Sequence, residues 1–198
     1  MTSEWRSVPN LITLARLALL PPFVVLLLTG RPRGALLCFA IAMASDLLDG
    51  LAARLLHQTT RLGAVLDPIV DKVMLATALC ALWLGGGVPT WLVGLVAFRD
   101  GWMGLAALAV RRRGLELPRS PSRIGKYATF ALTCLIVLAL ARLTTPSASL
   151  EAYTAVVGFI AGLCVAVSTV QYLARFGHLL GSSRSRPSAS ERRQGQRR

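Results

Sequence analysis

Six long apolar segments dominate the chain, and each is about as long as a lipid bilayer is thick. A helix needs about 20 apolar residues to cross the hydrocarbon core, and it satisfies its backbone hydrogen bonds within one segment. The segments cover residues 10–29, 34–56, 63–85, 88–110, 125–144 and 150–175. The sequence therefore predicts an all-α fold, an integral membrane bundle of six transmembrane helices. Pro21 and Pro22 predict a kink in the first of them.

The basic residues between these segments predict the orientation of the bundle. The stretch from Arg111 to Lys126 holds six Lys and Arg residues, and the C-terminal tail holds six more. Loops rich in Lys and Arg stay on the cytoplasmic side of a membrane. We therefore expect both termini and the loops 57–62 and 111–126 to be cytoplasmic. If the source is bacterial, the compartment is the cytoplasmic membrane, with the chain crossing it several times.

The charge balance points to a lipid bilayer as the partner of this chain. The formal net charge is +13, although 54% of the residues are hydrophobic. The basic residues lie between apolar runs and not along one soluble face, which argues against nucleic acid as a partner. Anionic lipid headgroups attract such residues. We expect one membrane domain over residues 1–178 and a disordered, basic cytoplasmic tail over 179–198, where apolar residues are scarce.

The aspartates carry the functional information, because all of them fall inside the apolar segments. The chain has only nine acidic residues. A carboxylate within a membrane helix is costly, and it usually marks a functional site. The five aspartates are Asp46, Asp49, Asp67, Asp71 and Asp100.

Four of the aspartates form two pairs with helical spacing. Asp46 and Asp49 are three residues apart near the end of the second segment, and Asp67 and Asp71 are four apart near the start of the third. Each pair therefore lies on one helix face. The loop between the segments is short, so we expect two antiparallel neighbouring helices. The two pairs are then predicted to face each other in one cavity.

Four carboxylates in a low-dielectric site repel one another unless cations bind between them. An all-oxygen ligand set favours Mg²⁺ or Mn²⁺, and four carboxylates suffice for two ions that clamp a phosphoryl group. Gly50 would allow a substrate to approach the helix backbone, and Arg54 could bind a phosphate oxygen. Intramembrane acids also serve as proton relays or as ion sites of transporters. The aspartates alone do not distinguish an enzyme of phosphoryl chemistry from a cation or proton transporter.

The residues around the aspartates resemble the signature of a known family, the CDP-alcohol phosphatidyltransferases. The signature reads D-x2-D-G-x2-A-R-x8-G-x3-D-x3-D. Its eight fixed positions are all met over the 26 residues from Asp46 to Asp71. The positions between the two aspartate pairs are Gly50, Ala53, Arg54 and Gly63. A transporter has no need of this spacing, so the resemblance favours an enzyme.

The resemblance implies transfer of a phosphatidyl group from CDP-diacylglycerol to an alcohol, with release of CMP, by a homodimeric enzyme of phospholipid biosynthesis. It implies that Asp46, Asp49, Asp67 and Asp71 ligate two Mg²⁺ or Mn²⁺ ions, and that Asp71 is also the general base. The implied CDP-lipid pocket consists of Gly50, Ala53, Arg54, Thr60 and Gly63.

The acceptor alcohol is predicted from shorter stretches. The run Asp67-Pro68-Ile69-Val70-Asp71-Lys72 and the start, Val8 to Arg16, resemble the glycerophosphate and cardiolipin branches of the family. We expect glycerol-3-phosphate as acceptor, giving phosphatidylglycerophosphate. Arg99-Asp100 replaces the Arg-Glu typical of glycerophosphate enzymes, so a cardiolipin synthase that uses phosphatidylglycerol is the alternative.

Three basic residues ahead of and within the fifth segment are candidates for acceptor binding, and Gly125-Lys126 fits the family pattern. They are Arg119, Arg123 and Lys126. Two further arginines, Arg16 and Arg99, lie inside the apolar segments. Arg16 is interpreted as a side chain that snorkels toward the headgroups. Arg99 and Asp100 are interpreted as residues that pair with polar groups inside the bundle or support the site.

Overall fold

The computed structural model describes the backbone of residues 8–55, 63–112 and 123–182, and within these ranges the chain is helical with no strand. Side chains are described over 12–45, 66–112 and 124–174. The all-α prediction is confirmed for this part of the chain. The helices are α1 (Val8–Ala18), α2 (Leu20–Leu28), α3 (Pro32–Leu55), α4 (Gly63–Leu84), α5 (Thr90–Arg112), α6 (Arg123–Thr144) and α7 (Ala148–Ser182).

Helices α1 and α2 together occupy the first predicted segment. They are separated at Leu19, directly before Pro21 and Pro22, which stand at the beginning of α2. Proline has no backbone N–H, so two rungs of the helical ladder are missing here. Hydrogen bonds from Leu19 to Ala15 and from Phe23 to Leu19 still bridge the junction. The two helices are therefore separated by a single residue, Leu19, and hydrogen bonds continue across the break.

Helices α2 and α4 end in the same way, on a glycine with positive φ. Gly30 has φ of 72° and Gly86 has φ of 70°. In each case the next residue donates its N–H to the carbonyl five residues earlier, Arg31 to Leu26 and Gly87 to Leu82. This is the Schellman motif, and its αL position suits glycine because a Cβ atom is unfavourable there. The motif ends each helix within two residues, and the next helix begins a few residues later, α3 at Pro32 and α5 at Thr90.

The hydrophobic core lies between the helices and joins them into a bundle. Helix α7 packs against α6 and α5, and α6 packs against α3 and α4. Helices α1 and α2 each contact both α3 and α4. Phe23 of α2 stacks on Phe39 of α3 with ring centroids 5.9 Å apart. Helix α1 is thereby held beside the helices that carry the two predicted aspartate pairs.

Within the part of the chain that the structure describes, three helical stretches are long and apolar enough to cross a membrane: Thr90–Arg112, Ile124–Thr144 and Ala148–Ala174. Shorter apolar stretches cover Ile12–Leu28 and Pro32–Ser45. Large apolar side chains such as Leu105 and Phe159 are exposed, as expected for surfaces in contact with lipid tails. The observed helices are consistent with a membrane bundle.

The predicted domain end at residue 178 falls inside a helix, because α7 continues to Ser182. The prediction of a disordered tail concerns residues that, from 183 onward, lie outside the described part of the chain. The division into residues 1–178 and 179–198 stays a prediction.

Candidate active site

The carboxylates of Asp67 and Asp71 are held from the side by helix α1. Thr13 Oγ1 donates a hydrogen bond of 2.8 Å to Asp67 Oδ1. Arg16 Nη1 donates one of 2.8 Å to Asp71 Oδ1. Thr13 and Arg16 are three residues apart on α1, and the aspartates are four apart on α4, so each pair lies on one face. The packing of α1 against α4 therefore places the two donor side chains opposite the two carboxylates.

Arg16 is a buried ion-pair partner, and its interpretation as a snorkelling side chain is wrong. The side chain is 0% exposed, whereas that of Asp71 is 46% exposed. A guanidinium inside a membrane bundle is costly unless an acceptor or an anion meets it. The carboxylate of Asp71 supplies that anion, so the side chain of Arg16 turns into the bundle. The other face of Asp71 remains accessible.

Asp71 also lines a cavity of about 490 Å³ between helices α3, α4, α5, α6 and α7. This volume is in the range of small-molecule sites. Most of its lining is apolar, with Met74, Leu79 and Ile136 as examples. The charged lining residues are Asp71, Lys72, Arg99, Asp100 and Lys126.

Lys126, a predicted acceptor-binding residue, is exposed and lines the same cavity as Asp71. Lys72, the residue directly after Asp71, is also exposed there. The predicted base and one predicted acceptor-binding cation are therefore brought together from α4 and α6. Gly125, which precedes Lys126, is another lining residue.

Arg99 and Asp100 reach the cavity from α5. Arg99 is buried, with 7% exposure. Its Nη1 lies 3.8 Å from Asp100 Oδ1, which is longer than a hydrogen bond. Arg99 and Asp100 therefore form a loose ion pair at the cavity wall.

The other predicted site residues lie where side chains are not described. The backbone of α3 is helical through Asp46, Asp49, Gly50, Ala53 and Arg54. Gly63 is the first residue of α4, and Arg123 is the first of α6. Thr60 and Arg119 lie outside the described ranges. The predicted meeting of the two aspartate pairs therefore stays a prediction.

The described carboxylates fit a hard divalent cation by the chemistry of their donors. Asp67 and Asp71 present oxygen ligands one helical turn apart, and each has one oxygen fixed by a hydrogen bond from α1. Such outer partners orient metal ligands in proteins. Among residues with described side chains, no group of three or more His, Cys, Asp or Glu residues could hold a metal ion. Asp46 and Asp49, the other two predicted ligands, fall outside that set.

Sequence reasoning assigned no site role to Thr13 or Arg16. Their signal is a Thr and an Arg at i and i+3 in an apolar helix that begins Val8-Pro9-Asn10. That spacing gives a shared face, but it does not say which helix lies opposite. Only the packing of α1 against α4 identifies the aspartates as the partners.

A model of the CDP-alcohol phosphatidyltransferase family matches residues 6–170 of the chain. A Mycobacterium tuberculosis protein named as a cardiolipin synthase is 41% identical over 128 residues, which are 63% of this chain and 59% of that relative. Another M. tuberculosis protein, named as a phosphatidylglycerophosphate synthase, is 35% identical over 172 residues, which are 84% of this chain and 79% of the relative.

A cardiolipin synthase (CMP-forming) of Streptomyces coelicolor is 34% identical over 137 residues, which are 66% of this chain and 63% of that protein. The chain thus spans less than two thirds of the length of these two cardiolipin synthase relatives. The family match, by contrast, extends over most of the chain and includes helices α1 to α6 and most of α7. On this match the chain belongs to the CDP-alcohol phosphatidyltransferase family.

Proposed function

We propose that this chain is a membrane enzyme that transfers a phosphatidyl group from CDP-diacylglycerol to an alcohol and releases CMP. The observation that carries the proposal is Asp71, an oriented carboxylate of the family signature that opens onto a cavity large enough for a substrate. Family membership supports an enzyme over the alternative of a cation or proton transporter.

In the proposed reaction, Asp71 accepts the proton of the acceptor hydroxyl. The hydroxyl oxygen then bonds to the phosphorus of the phosphatidyl group. The bond between this phosphorus and the oxygen that bridges to the cytidine phosphate breaks, and CMP leaves with that oxygen. Arg16 orients the carboxylate through its hydrogen bond to Oδ1. The base is therefore already in position when the acceptor binds.

Asp46, Asp49, Asp67 and Asp71 would hold two Mg²⁺ or Mn²⁺ ions. Bound there, the ions supply charge neutralisation for the pyrophosphate. Thr13 orients Asp67 through a 2.8 Å hydrogen bond. Gly50, Ala53, Arg54, Thr60 and Gly63 are proposed to form the CDP-lipid pocket, as the family signature implies.

Glycerol-3-phosphate is the proposed acceptor, which would make the product phosphatidylglycerophosphate. The M. tuberculosis relative that aligns over 172 residues is named as a phosphatidylglycerophosphate synthase. Phosphatidylglycerol is the second candidate, because a relative of higher identity is named as a cardiolipin synthase and because Arg99-Asp100 departs from Arg-Glu. Lys126, Arg123 and Arg119 are the proposed acceptor-binding residues.

We further propose six membrane crossings, with both termini and the active site on the cytoplasmic side. The first crossing would be formed by α1 and α2 together. The distribution of Lys and Arg between the segments supports this orientation. A homodimer in the cytoplasmic membrane remains part of the proposal on family resemblance.

The proposal is tested by CMP release from detergent-purified protein. The assay contains CDP-dioleoylglycerol, Mg²⁺ or Mn²⁺, and one acceptor at a time: glycerol-3-phosphate, phosphatidylglycerol, inositol phosphate or serine. We expect metal-dependent CMP release with one of the first two acceptors. Absence of CMP with all four would refute the enzyme assignment, and the lipid product identifies the acceptor.

Replacing the proposed base separates its role from that of a simple ligand. We expect Asp71→Asn to abolish CMP release and to leave binding of the CDP-lipid largely intact, because asparagine cannot accept the proton. The measurements are turnover and equilibrium binding of CDP-dioleoylglycerol. Glu151→Gln, an exposed change in the first turn of α7, is the matched control and should keep turnover. If Asp71→Asn loses both turnover and binding of the CDP-lipid, Asp71 acts chiefly as a metal ligand.

A further inference from the structure

The cavity at Asp71 extends from charged side chains to apolar ones along two of its helices. On α4, Leu79 lies more than two helical turns after Asp71, which is about 12 Å at the rise of an α-helix. On α6, Ile136 lies almost three turns after Lys126, or about 15 Å. On both helices, therefore, the lining changes from charged to apolar with distance from the helix start.

Three buried residues form the apolar end of the cavity: Leu79, Val96 and Ile136. Their exposed fractions are 3%, 8% and 0%. All three also belong to the same cluster of the hydrophobic core. The cavity therefore reaches from the proposed base into the core of the bundle.

Two threonines of α6 line the cavity between Lys126 and Ile136, but their hydroxyl protons are used within the helix. Thr129 Oγ1 donates to the carbonyl oxygen of Gly125 at 3.1 Å, and Thr133 Oγ1 donates to that of Thr129 at 3.1 Å. Such bonds to the preceding turn are a known pattern of threonine in helices. Neither side chain offers its hydroxyl proton to a ligand, so a polar group placed beside them would lack a donor from either.

The contrast along the cavity fits an amphipathic ligand. Apolar cavities stay dry and bind apolar groups, and hydrocarbon gains free energy when it is buried there. The cavity volume of about 490 Å³ is in the range that holds a drug-sized ligand. A small polar alcohol would use the charged groups and leave the apolar end without a partner.

We propose that the apolar end of the cavity binds an acyl chain of a lipid acceptor whose hydroxyl lies at Asp71. This inference rests on the proposed function and favours phosphatidylglycerol, the second candidate acceptor, over glycerol-3-phosphate. The separation of more than two helical turns leaves space for the polar part of the lipid between the base and the chain. Leu79, Val96 and Ile136 are then residues that determine acceptor specificity.

The position of the cavity favours the acceptor as the source of the chain. The cavity contains Asp71, the proposed base for the acceptor hydroxyl, and Lys126, a proposed acceptor-binding residue. The residues proposed for the CDP-lipid pocket lie elsewhere in the chain, between Gly50 and Gly63. A chain of the CDP-lipid in the apolar end is the competing outcome that the experiment must separate.

Two acceptors with the same headgroup test the apolar end. Phosphatidylglycerol carries acyl chains and glycerophosphoglycerol lacks them, and the KM of each is measured in the same micelles, or its inhibition constant where it is not turned over. Val96→Phe fills part of the apolar end with a phenyl ring. The ratio of the glycerophosphoglycerol value to the phosphatidylglycerol value should fall by roughly 10- to 100-fold, equivalent to about two to three buried methylene groups.

The matched control is Val137→Phe, the same change at an exposed residue of α6 that does not line the cavity. It should keep the wild-type ratio. An unchanged ratio in Val96→Phe would overturn the inference, because a general disturbance of the fold affects both acceptors alike. A rise only in the KM for CDP-dioleoylglycerol would assign the apolar end to the donor chain and overturn it as well. Turnover by wild type of glycerol-3-phosphate but not of phosphatidylglycerol would refute the lipid acceptor and leave the proposed enzyme class intact.

Photo-cross-linking tests the binding of the chain without requiring turnover. Phosphatidylglycerol with a diazirine on one acyl chain is irradiated with the purified protein, and the labelled residues are identified by mass spectrometry. We expect label at Leu79, Val96 or Ile136 in wild type and in Val137→Phe, even if no CMP forms. Label confined to outward residues such as Leu105 would contradict the site, as would label at the apolar end only from a CDP-lipid with the same diazirine. The wild-type result decides the matter even if Val96→Phe does not fold.

Discussion

At the scale of single residues, the site depends on side chains from two helices that are far apart in sequence. Thr13 and Arg16 contribute nothing to the aspartate signature, yet they hold Asp67 and Asp71 with hydrogen bonds of 2.8 Å each. Thr13 is buried and Arg16 is fully buried. Fixed partners of this kind reduce the rearrangement needed when a ligand binds to the carboxylates.

The hydroxyl of Thr13 gives a prediction about metal activation. We expect Thr13→Val to raise the metal concentration needed for half-maximal CMP release by roughly 10- to 100-fold, the range for loss of an outer partner of a metal ligand. Valine keeps the branched shape but cannot donate to Asp67. Thr13→Ser retains the hydroxyl and is the control, with an expected shift of only a few-fold. Equal half-activating concentrations in Thr13→Val and wild type would show that the hydrogen bond does not position a ligand.

At the scale of helices, local sequence determines where several of them end. Pro21 and Pro22 divide the first apolar segment into α1 and α2, and Gly30 and Gly86 terminate α2 and α4 in left-handed conformations. These are effects of backbone chemistry within a few residues, and they do not require the rest of the fold. They fix the positions at which the chain can turn back into the bundle.

The terminus of α4 gives a prediction about stability. Gly86→Ala should lower the free energy of unfolding by about 1 kcal/mol, because an L-residue with a Cβ atom is unfavourable in the left-handed region. Gly86→Asn should cost less, since asparagine tolerates this region better. The measurement is denaturation in detergent followed by circular dichroism.

The matched control for Gly86 is Gly94→Ala within α5. Gly94 has no neighbouring atom within 4 Å of an added Cβ and does not have a positive φ. Alanine should therefore be tolerated there, with no loss of stability. If Gly94→Ala lowers the free energy of unfolding as much as Gly86→Ala does, the effect comes from replacing glycine in general and not from the left-handed conformation at Gly86.

At the scale of the whole molecule, the outward apolar surface and the inward polar groups are arranged for a membrane. Large apolar side chains are exposed along α5, α6 and α7, among them Leu105, Val137 and Phe159. Buried Arg16 and Arg99 instead lie inside the bundle or at its cavity. In a lipid environment this arrangement keeps charges away from the acyl chains.

The proposed orientation can be tested with cysteine labelling. In a background with Cys38, Cys80, Cys134 and Cys164 replaced by alanine, we expect Thr145→Cys to react with a membrane-impermeant thiol reagent in intact cells. Ser185→Cys should react only after permeabilisation, because the basic tail is expected in the cytoplasm. The reverse pattern would invert the orientation. Labelling of both cysteines in intact cells would contradict a membrane crossing by α7, which lies between the two positions.

The sequence by itself determined the all-helical class, the family and the acidic character of the site. Apolar segments of bilayer length and aspartates at i, i+3 and i, i+4 are local patterns, so they can be recognised without knowledge of packing. The same holds for the break at Pro21-Pro22, since proline acts on its own helix. The presence of Asp46, Asp49, Asp67, Asp71 and Asp100 in helices followed directly from these patterns and is confirmed.

Only the tertiary structure decided which side chains meet across helices. A buried arginine and one that snorkels look alike in a sequence, and Arg16 was misinterpreted for this reason. Its partner, Asp71, lies 55 positions away, and no periodicity within one helix can identify such a contact. The cavity that joins Asp71, Arg99 and Lys126 depends in the same way on how α4, α5 and α6 pack. Helix packing is a property of whole faces, so these features appear only once all the helices are placed together.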